Sequence, residues 1–358
     1  MPLVAHNQLP SFERLRTEGI RVLTPTTAQH QDIRELHIGL LNMMPDAALS
    51  ATERQFFRLI GESNPIAQFY IHPFTLDEIP RSQKAQDYID HYYESFSDIK
   101  TMGLDALIIT GANVSGSELS NQPFWQPLIE VFDWAWNHVT STLCSCLATH
   151  AVMEFRYQQK RSLQKKKIWG VFPHHLINKH HPLVNDINTR FDVPHSRWNA
   201  ISKQQFNNKN LILLVTSEQD FVHLATSPDG FRQVLFQGHP EYDGISLLKE
   251  YKREVMLFNQ GKLEQYPPFP EHYLGVFEKA ILNEYQLRCQ IAKKNKQILP
   301  EFPEALIRKN IDITWHDTAV EVIGNWMGLI YQITHNDRHI PFMEGIDRDN
   351  PLSLIELK

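Results

Sequence analysis

The stretch that most constrains the fold is residues 139–151, where an apolar, β-branched run stops at a cysteine and a helical pattern begins. Such a strand-to-helix turn holds one side chain at the carboxyl edge of a sheet, and the free N–H groups of the first helical turn stabilise a thiolate or an oxyanion. Cys146, at this turn, is the candidate nucleophile. The alternative is a small buried core residue, since free cysteines are usually buried and inert.

A second apolar strand, starting at residue 233, also ends at a tight turn, and this turn carries His239 and Glu241. A thiol needs an imidazole to accept its proton, and the imidazole needs a carboxylate that fixes its tautomer and stabilises its charged form. Cys146, His239 and Glu241 therefore make a complete Cys-His-Glu set. The alternative is that His239 and Glu241 only cap the following helix.

Strand and helix patterns alternate along the chain from residue 36 onward. Short buried strands are predicted at residues 36–41 and 104–109, and an amphipathic helix is predicted at 123–138. This alternation predicts an α/β fold with a doubly wound, mostly parallel sheet flanked by helices and with ligands at the carboxyl ends of its strands. A further amphipathic helix at 317–333 gives the C-terminal part a helical character.

The domain organisation follows from where periodicity is weak. We predict an N-terminal arm at residues 1–35, one domain over 36–336, and a polar tail over 337–358. Within the domain, prolines cluster between 261 and 305 around a polar helical segment, which predicts an insertion or a connecting arm.

The composition excludes several classes of protein. The formal net charge is −6 at pH 7, so no basic field attracts nucleic acid, and no apolar run reaches the roughly 18 residues that span a bilayer. The first residues lack the pattern of a signal peptide, and three cysteines are a sparse set, which together predict a cytoplasmic protein. The paired histidines at 174–175 and 180–181 are typical of solvated loops, so we predict no metal site.

Several short motifs follow one another along the chain, at residues 40–45, 110–112, 139–143, 170–175, 194–197, 238–243 and 325–334. They resemble those of the homoserine O-acyltransferases of methionine biosynthesis. The resemblance extends from about residue 35 to 335. Those enzymes are built on a class I glutamine amidotransferase-like fold, which the resemblance therefore implies here.

The resemblance implies an enzyme that moves an acyl group from acyl-CoA through a thioester on Cys146 to the hydroxyl of L-homoserine. His239 matches the proton acceptor and Glu241 its partner. Acyl-CoA is a substrate, so no cofactor is implied, and a homodimer is expected. Neither a nucleic acid nor a membrane is an expected partner.

Three further positions match substrate-binding residues of the family. Lys167 and Ser196 correspond to a substrate-contacting Lys and Ser, and Arg253, on the helix after the His239 turn, corresponds to a substrate-binding Arg. A guanidinium suits the carboxylate of an amino acid, and a hydroxyl suits its polar groups. An ordinary surface contact is the alternative for each.

The acyl donor is predicted from one loop position. In the family, a Glu five residues after the loop Thr favours acetyl-CoA, whereas a Gly leaves room for succinyl-CoA. Ser115 occupies that position here and is small and uncharged, so we favour succinyl-CoA over acetyl-CoA. The acceptor is expected to be homoserine, with serine as the alternative.

Two loops depart from the family pattern. Residues 147–150 replace the usual Trp-Gly-Ala-Gln or a similar run, and the loop after Pro45 is two residues longer and lacks a Lys. Two other classes of function therefore stay open: a glutamine amidotransferase-like hydrolase that uses the same three residues, and a relative that keeps the fold only as a binding module.

Overall fold

The computed structural model describes residues 3–31, 33–64, 67–114 and 118–354. In these residues the strands are β1 Leu3–Val4, β2 Val22–Leu23, β3 Glu35–Leu41, β4 Gln68–Phe74, β5 Ala106–Ile109, β6 Ser141–Ser145, β7 Ser162–Leu176, β8 Arg190–Ala200, β9 Ile212–Ser217, β10 Val222–Thr226 and β11 Gln233–Phe236.

The helices alternate with these strands over most of the chain. They are α1 Pro10–Thr17, α2 Pro25–Gln29, α3 Leu49–Ser63, α4 Gln83–Tyr92, α5 Phe96–Met102, α6 Trp125–His138, α7 Leu147–Tyr157, α8 Lys203–Asn207, α9 Ser246–Asn259, α10 Val276–Lys294, α11 Glu304–Arg308 and α12 His316–Ile333. No helix among the described residues is both long and apolar enough to cross a membrane.

All of these strands join one sheet in the order β2-β1-β4-β3-β5-β6-β11-β10-β9-β7-β8. The pairs from β2 to β11 are parallel, and the pairs from β11 to β8 are antiparallel. The predicted α/β class with a doubly wound, mostly parallel sheet is confirmed. Strands were also expected from the sequence near residues 165–172, 211–216 and 221–226, but their antiparallel pairing, which ends in the long β7–β8 hairpin, was not predicted.

Helices cover both faces of the sheet because the parallel strands are apolar on both sides. Phe56 of α3 and Trp326 of α12 are buried in the core on one face. Leu128 of α6 and Val152 of α7 are buried on the other face. The predicted helical C-terminal part is α12, which therefore belongs to the main core.

The segment predicted as an N-terminal arm is part of the sheet in its described residues. β1 lies between β2 and β4, and Leu3, Phe12 and Leu15 are buried in the main core. A strand of two residues is too short to give a periodic sequence signal. The sequence therefore showed no regular structure where the chain adds an edge to the sheet.

The segment 261–305, predicted as an insertion or connecting arm, packs against α9 and β7. Tyr285 of α10 and Phe302 are buried with Tyr251 of α9 in a third hydrophobic cluster. Glu271 exchanges backbone hydrogen bonds with β7, and Gly170 allows this approach because a Cβ there would collide with Glu271. The segment therefore has its own buried contacts with β7 and α9.

The described part of the predicted tail, residues 337–354, has neither helix nor strand. Phe342 and Leu352 are nevertheless buried in the main core. The tail is therefore polar in sequence but anchored at two points.

Candidate active site

Cys146 is the single residue between the end of β6 and the start of α7. Its backbone has φ 52° and ψ −104°, a conformation that L residues rarely adopt. The N–H of Cys146 donates to the carbonyl of Phe236 in β11 at 2.8 Å, and the Thr149 hydroxyl lies 2.8 Å from the carbonyls of both Cys144 and Phe236. These bonds fix the turn, so the predicted strand-to-helix turn is confirmed.

His239 and Glu241 lie at the end of the neighbouring strand, β11. Nδ1 of His239 is 2.9 Å from Oε1 of Glu241, and both side chains are buried. The backbone N–H of His239 donates to the carbonyl of Pro194 at 2.8 Å. The preceding Gly238 has no room for a side chain, because a Cβ there would collide with Val193. The imidazole is thereby held in one place by the backbone and by one carboxylate.

The structure brings the three predicted residues together, and we call Cys146, His239 and Glu241 the Cys-His-Glu trio. Burial by itself raises the pKa of the Cys146 thiol, but the adjacent His239 outweighs it and the pKa is lowered below its usual value. Burial likewise lowers the pKa of His239, but Glu241 and Cys146 raise it well above its usual value. The arrangement therefore favours a thiolate beside an imidazolium, which is the reactive form of a cysteine nucleophile.

Arg197, in β8, is a buried charged residue that influences the trio and that the sequence alone did not single out. It is buried, and its Nη1 donates to the carbonyl of Gln237 at 3.0 Å and also contacts Nδ1 of His195. Burial lowers the pKa of Arg197 to about 10, which leaves it charged at neutral pH. No carboxylate among the described residues forms an ion pair with it, and its charge contributes to the low pKa of Cys146. Arg197 belongs to the motif at residues 194–197, but the sequence does not show which residues lie near its charge in the folded chain.

The Thr110 loop lies next to the nucleophile. A Cβ atom built at Gly111 would lie 3.6 Å from Cβ of Cys146 and 3.9 Å from the backbone nitrogen of Leu147. The hydroxyl of Thr110 accepts a hydrogen bond from the N–H of Met43 at 2.9 Å, which ties the ends of β3 and β5 together. Leu147 begins α7, where the first N–H groups have no partner within the helix. An oxyanion formed beside Cys146 would therefore meet a backbone donor.

A second group of polar residues adjoins the trio on the side of α9. We call Lys167, Ser196, Tyr242, Glu250 and Glu254 the Glu250 cluster. Both carboxylate oxygens of Glu250 accept hydrogen bonds, from the Ser196 hydroxyl at 2.5 Å and from the Tyr242 hydroxyl at 2.7 Å. Lys167 Nζ is 2.8 Å from Glu254 and 3.6 Å from Glu250.

The ring of Tyr242 connects this cluster to the trio. It stacks on the imidazole of His239, with ring centroids 4.3 Å apart. Two residues predicted from the sequence, Lys167 and Ser196, therefore lie in a cluster beside the trio. Tyr242 and Glu250 belong to the same cluster and were not predicted. Glu250 was missed because a glutamate on an amphipathic helix has the same sequence signature as a solvated one.

Arg253 is not part of this cluster in the structure. It lies on α9 one turn after Glu250, is exposed, and takes part in none of the ion pairs of the described residues. A side chain of this length at this spacing can approach a neighbour one turn away. Its assignment to the carboxylate of a substrate stays a prediction.

Ser115, predicted to influence the choice of acyl donor, lies outside the described residues.

The other cysteine of this turn, Cys144, is fully buried in β6. Burial raises its pKa well above the usual range, so this second thiol is protonated and packed in the core.

The loops that differ from the family pattern have their own partners. Asp46 accepts a hydrogen bond from the N–H of Ser82 at 2.8 Å and lies 3.4 Å from Arg81, so it anchors the loop after β3. His150 is buried in α7, with Nε2 3.1 Å from the amide oxygen of Gln237. Both residues thus stabilise the turns around the trio rather than point to another chemistry.

The paired histidines were expected in solvated loops, but His174 and His175 lie in β7, and both His174 and His181 are buried. Nδ1 of His174 lies 2.8 Å from the carbonyl of Phe172, and its Nε2 lies 3.3 Å from Nε2 of His195. Nε2 of His181 lies 3.1 Å from the carbonyl of Gly230, and its Nδ1 accepts a hydrogen bond from the N–H of Leu183 at 3.3 Å. The prediction that the reaction uses no metal is not tested by them.

The sequence comparisons with known proteins all match the same family. A sequence model of the homoserine O-succinyltransferase family matches residues 2–336. A homoserine O-succinyltransferase of Allochromatium vinosum is 64% identical over 355 residues, which cover 99% of each chain. Another, of Thiobacillus denitrificans, is 61% identical over 354 residues, which cover 99% of this chain and 100% of its own.

A solved structure of a glutamine amidotransferase from Methylobacillus flagellatus aligns with 83% of this chain and 95% of its own. The identity is 12% and the TM-score is 0.45. This likeness is too weak to support a conclusion about function.

Proposed function

Because the chain belongs to the homoserine O-succinyltransferase family, we propose that it transfers a succinyl group from succinyl-CoA to the hydroxyl of L-homoserine through a thioester on Cys146. The observation that carries this mechanism is the Cys-His-Glu trio, in which a thiol of lowered pKa lies beside an imidazole of raised pKa. Such a pair is ready to attack a thioester carbonyl without a metal or another cofactor.

In the first half-reaction the Cys146 thiolate attacks the thioester carbonyl of succinyl-CoA. The negative charge that develops on the carbonyl oxygen is stabilised by the first N–H of α7, at Leu147, beside the Gly111 turn. When the intermediate collapses, the CoA sulfur leaves and takes the proton of the His239 imidazolium. Succinyl-Cys146 and neutral His239 remain.

In the second half-reaction the neutral imidazole of His239 takes the proton of the homoserine hydroxyl as the oxygen attacks the thioester. Glu241, 2.9 Å from Nδ1, stabilises the imidazolium that forms. Collapse of the second intermediate releases the ester and returns the Cys146 thiolate. The proton stays on His239, so the enzyme regains its starting ion pair.

The Glu250 cluster is placed to bind the amino acid. The carboxylate of Glu250 is a suitable partner for the ammonium group of homoserine, and Ser196 can exchange its hydrogen bond to Glu250 for one to the substrate. The exposed guanidinium of Arg253, one turn further along α9, is a suitable partner for the substrate carboxylate. The stacked ring of Tyr242 then directs the substrate hydroxyl toward His239.

Several finer points belong to this proposal. Small, uncharged Ser115 supports succinyl-CoA rather than acetyl-CoA as the donor. Acetyl-CoA as the donor and serine as the acceptor remain the alternatives, and a homodimer remains a prediction. A reducing, cytoplasmic environment agrees with three free cysteines, since a nucleophilic thiol must not be oxidised.

The experiment is a two-step assay with purified protein. Succinyl-CoA without homoserine should release one equivalent of CoA and leave a succinyl group on Cys146, detectable by peptide mass spectrometry. Addition of homoserine should then discharge the thioester as O-succinylhomoserine. Discharge to free succinate at the same rate with and without homoserine would instead identify a hydrolase, and the absence of labelling would identify a binding module.

A further inference from the structure

A second cluster of titratable residues lies apart from the active site. His6, His72 and Glu94 each place one ligand atom, a ring nitrogen or a carboxylate oxygen, within 4.8 Å of the other two. His6 follows β1, His72 is in β4, and Glu94 lies between α4 and α5. The strands β3 and β5 separate β4 from β6, which carries Cys146. The trio therefore does not account for this cluster.

The cluster continues into the sheet as a chain of polar contacts. Nδ1 of His72 is 2.7 Å from Oε1 of Glu94, and Nε2 of His72 is 2.9 Å from Nδ1 of His37. Nε2 of His37 is in turn 3.4 Å from Oε2 of Glu35. Both nitrogens of both buried imidazoles are thus engaged.

We propose that His6, His72 and Glu94 bind a zinc ion. The ion would lie between Nδ1 of His72, a ring nitrogen of His6 and the carboxylate of Glu94. Nε2–H of His72 would then donate to Nδ1 of His37, and Nε2–H of His37 would donate to Glu35. A ligating histidine whose other nitrogen donates into a chain ending at a carboxylate is the usual outer arrangement of a zinc site.

The ligand types select the kind of ion. Two imidazoles and one carboxylate form a set that suits zinc, with water in the fourth position, whereas magnesium and calcium prefer oxygen ligands. The side chain of His72 is 5% exposed and that of Glu94 27% exposed, so the ion is shielded but can enter from solvent.

His6 is held loosely enough to turn toward an ion. Its ring centroid is 4.7 Å from that of His72. One of its nitrogens lies 3.2 Å from the carbonyl of Val4 and the other 3.4 Å from the amide nitrogen of Asn7. Binding an ion requires only one of these two long contacts to be given up.

The proposed ion would stabilise the edge of the sheet. β1 has two residues, and its pairing with β4 rests on Leu3 opposite Phe69. A bond from His6 through the ion to His72 and Glu94 would connect the N-terminal segment to β4 and to the chain before α5. The role inferred is therefore structural, and the transfer reaction does not depend on it.

The test uses the full chain with Cys146→Ser, because a reactive thiol beside His239 is itself able to bind zinc. After removal of metals by a chelator, zinc is titrated by calorimetry and cobalt by visible absorption. We expect one ion per chain and a higher melting temperature with zinc. His6→Ala and Glu94→Gln should each weaken binding about tenfold or more and remove the thermal shift.

His91→Ala is the matched control, since His91 is exposed on α4 and close in sequence to Glu94. It should bind zinc as tightly as its parent. His6→Ala in the chain with Cys146 intact should also keep its transfer activity, which shows that the variant is folded. The proposal would be overturned if Cys146→Ser shows no saturable zinc binding. It would also be overturned if His6→Ala and Glu94→Gln bind zinc with the same affinity as their Cys146→Ser parent.

Discussion

The Cys-His-Glu trio and the Glu250 cluster lie side by side but are held in different ways. The trio is positioned by the backbone, through the turns after β6 and β11. The Glu250 cluster is positioned by bonds between side chains, in which one lysine is shared by two carboxylates. The side chains of His239 and Glu241 are 7% and 4% exposed, whereas those of Lys167 and Glu254 are 13% and 23% exposed.

This difference suggests a division between the two half-reactions. The groups proposed to form the thioester are already in a reactive arrangement without substrate. The groups proposed to bind homoserine are paired with each other, so the amino acid must replace existing partners. Variants should therefore separate into those that lose thioester formation and those that lose only the second step.

Cys146→Ala should have the largest effect. Both half-reactions need the thiol, so we expect transfer to fall about 10⁴-fold or more. Release of CoA from succinyl-CoA in the absence of homoserine should disappear as well, as measured by a thiol assay in a single turnover. Normal CoA release from this variant would place the nucleophile elsewhere.

Arg197→Met should have the next largest effect. The Arg197 charge contributes to the low pKa of Cys146, so its removal raises that pKa and leaves less thiolate at neutral pH. Because the thiolate is present only above the thiol pKa, alkylation of Cys146 by iodoacetamide should begin at a higher pH than in the parent. Transfer at neutral pH should fall by about 10²-fold.

Arg197→Lys is the matched variant, since it keeps a cation at the same place. Its alkylation profile should stay closer to that of the parent than the profile of Arg197→Met. Coincident profiles for the parent and Arg197→Met would show that the arginine only fills space, and circular dichroism would establish that both variants are folded.

Glu250→Gln should act on the second half-reaction alone. Loss of one charged partner for the homoserine ammonium should raise KM for homoserine about tenfold, while CoA release without homoserine keeps its rate. Glu284→Gln, at an exposed position of α10, is the control and should change neither quantity. If Glu250→Gln slows CoA release instead, the two regions do not divide the reaction.

Cys144→Ser should have the smallest effect on activity. Cys144 is buried in β6 and its pKa is raised by burial, so it supplies no thiolate. A serine hydroxyl there would be buried in an apolar setting, which should lower the free energy of unfolding by about 1–3 kcal/mol. Urea denaturation measures that loss, and an inactive but folded Cys144→Ser protein would show that the strand is part of the chemistry.

The trio was predictable from sequence because topology does most of the positioning. Parallel strands place their carboxyl ends at one edge, so residues just after two such strands meet even when far apart in the chain. Cys146 and His239 follow β6 and β11, which are neighbours in the sheet. The alternation of strand and helix was therefore enough to bring them together.

Arg197 and Glu250 were not predictable in the same way. β8 contains Pro194 and several charged residues, which hide its strand pattern, so the position of Arg197 under the trio was not visible. Glu250 lies on a helix whose sequence fits an ordinary solvated face. Their roles come from burial and from partners on other elements, which a single sequence does not encode locally.

The zinc ligands proposed at His6, His72 and Glu94 were missed for a related reason. Short spacings such as His-x-x-x-His reveal sites built on one helix or turn. These three residues come from separate parts of the chain, and the first lies in the segment expected to be an arm. Recognition required the edge strand β1 to be placed beside β4.

The backbone of Cys146 has a consequence for the evolution of the protein. At φ 52° and ψ −104° an L residue is in a sparsely populated region that costs about 1–3 kcal/mol, a cost that glycine avoids. Elsewhere in regular structure glycine is less stabilising than alanine by about 0.5–1 kcal/mol. Here Cys146→Gly should therefore melt at a higher temperature than Cys146→Ala. Selection for stability therefore favours glycine at this position, whereas selection for activity favours cysteine. In a relative that no longer catalyses the reaction, we expect glycine to replace Cys146.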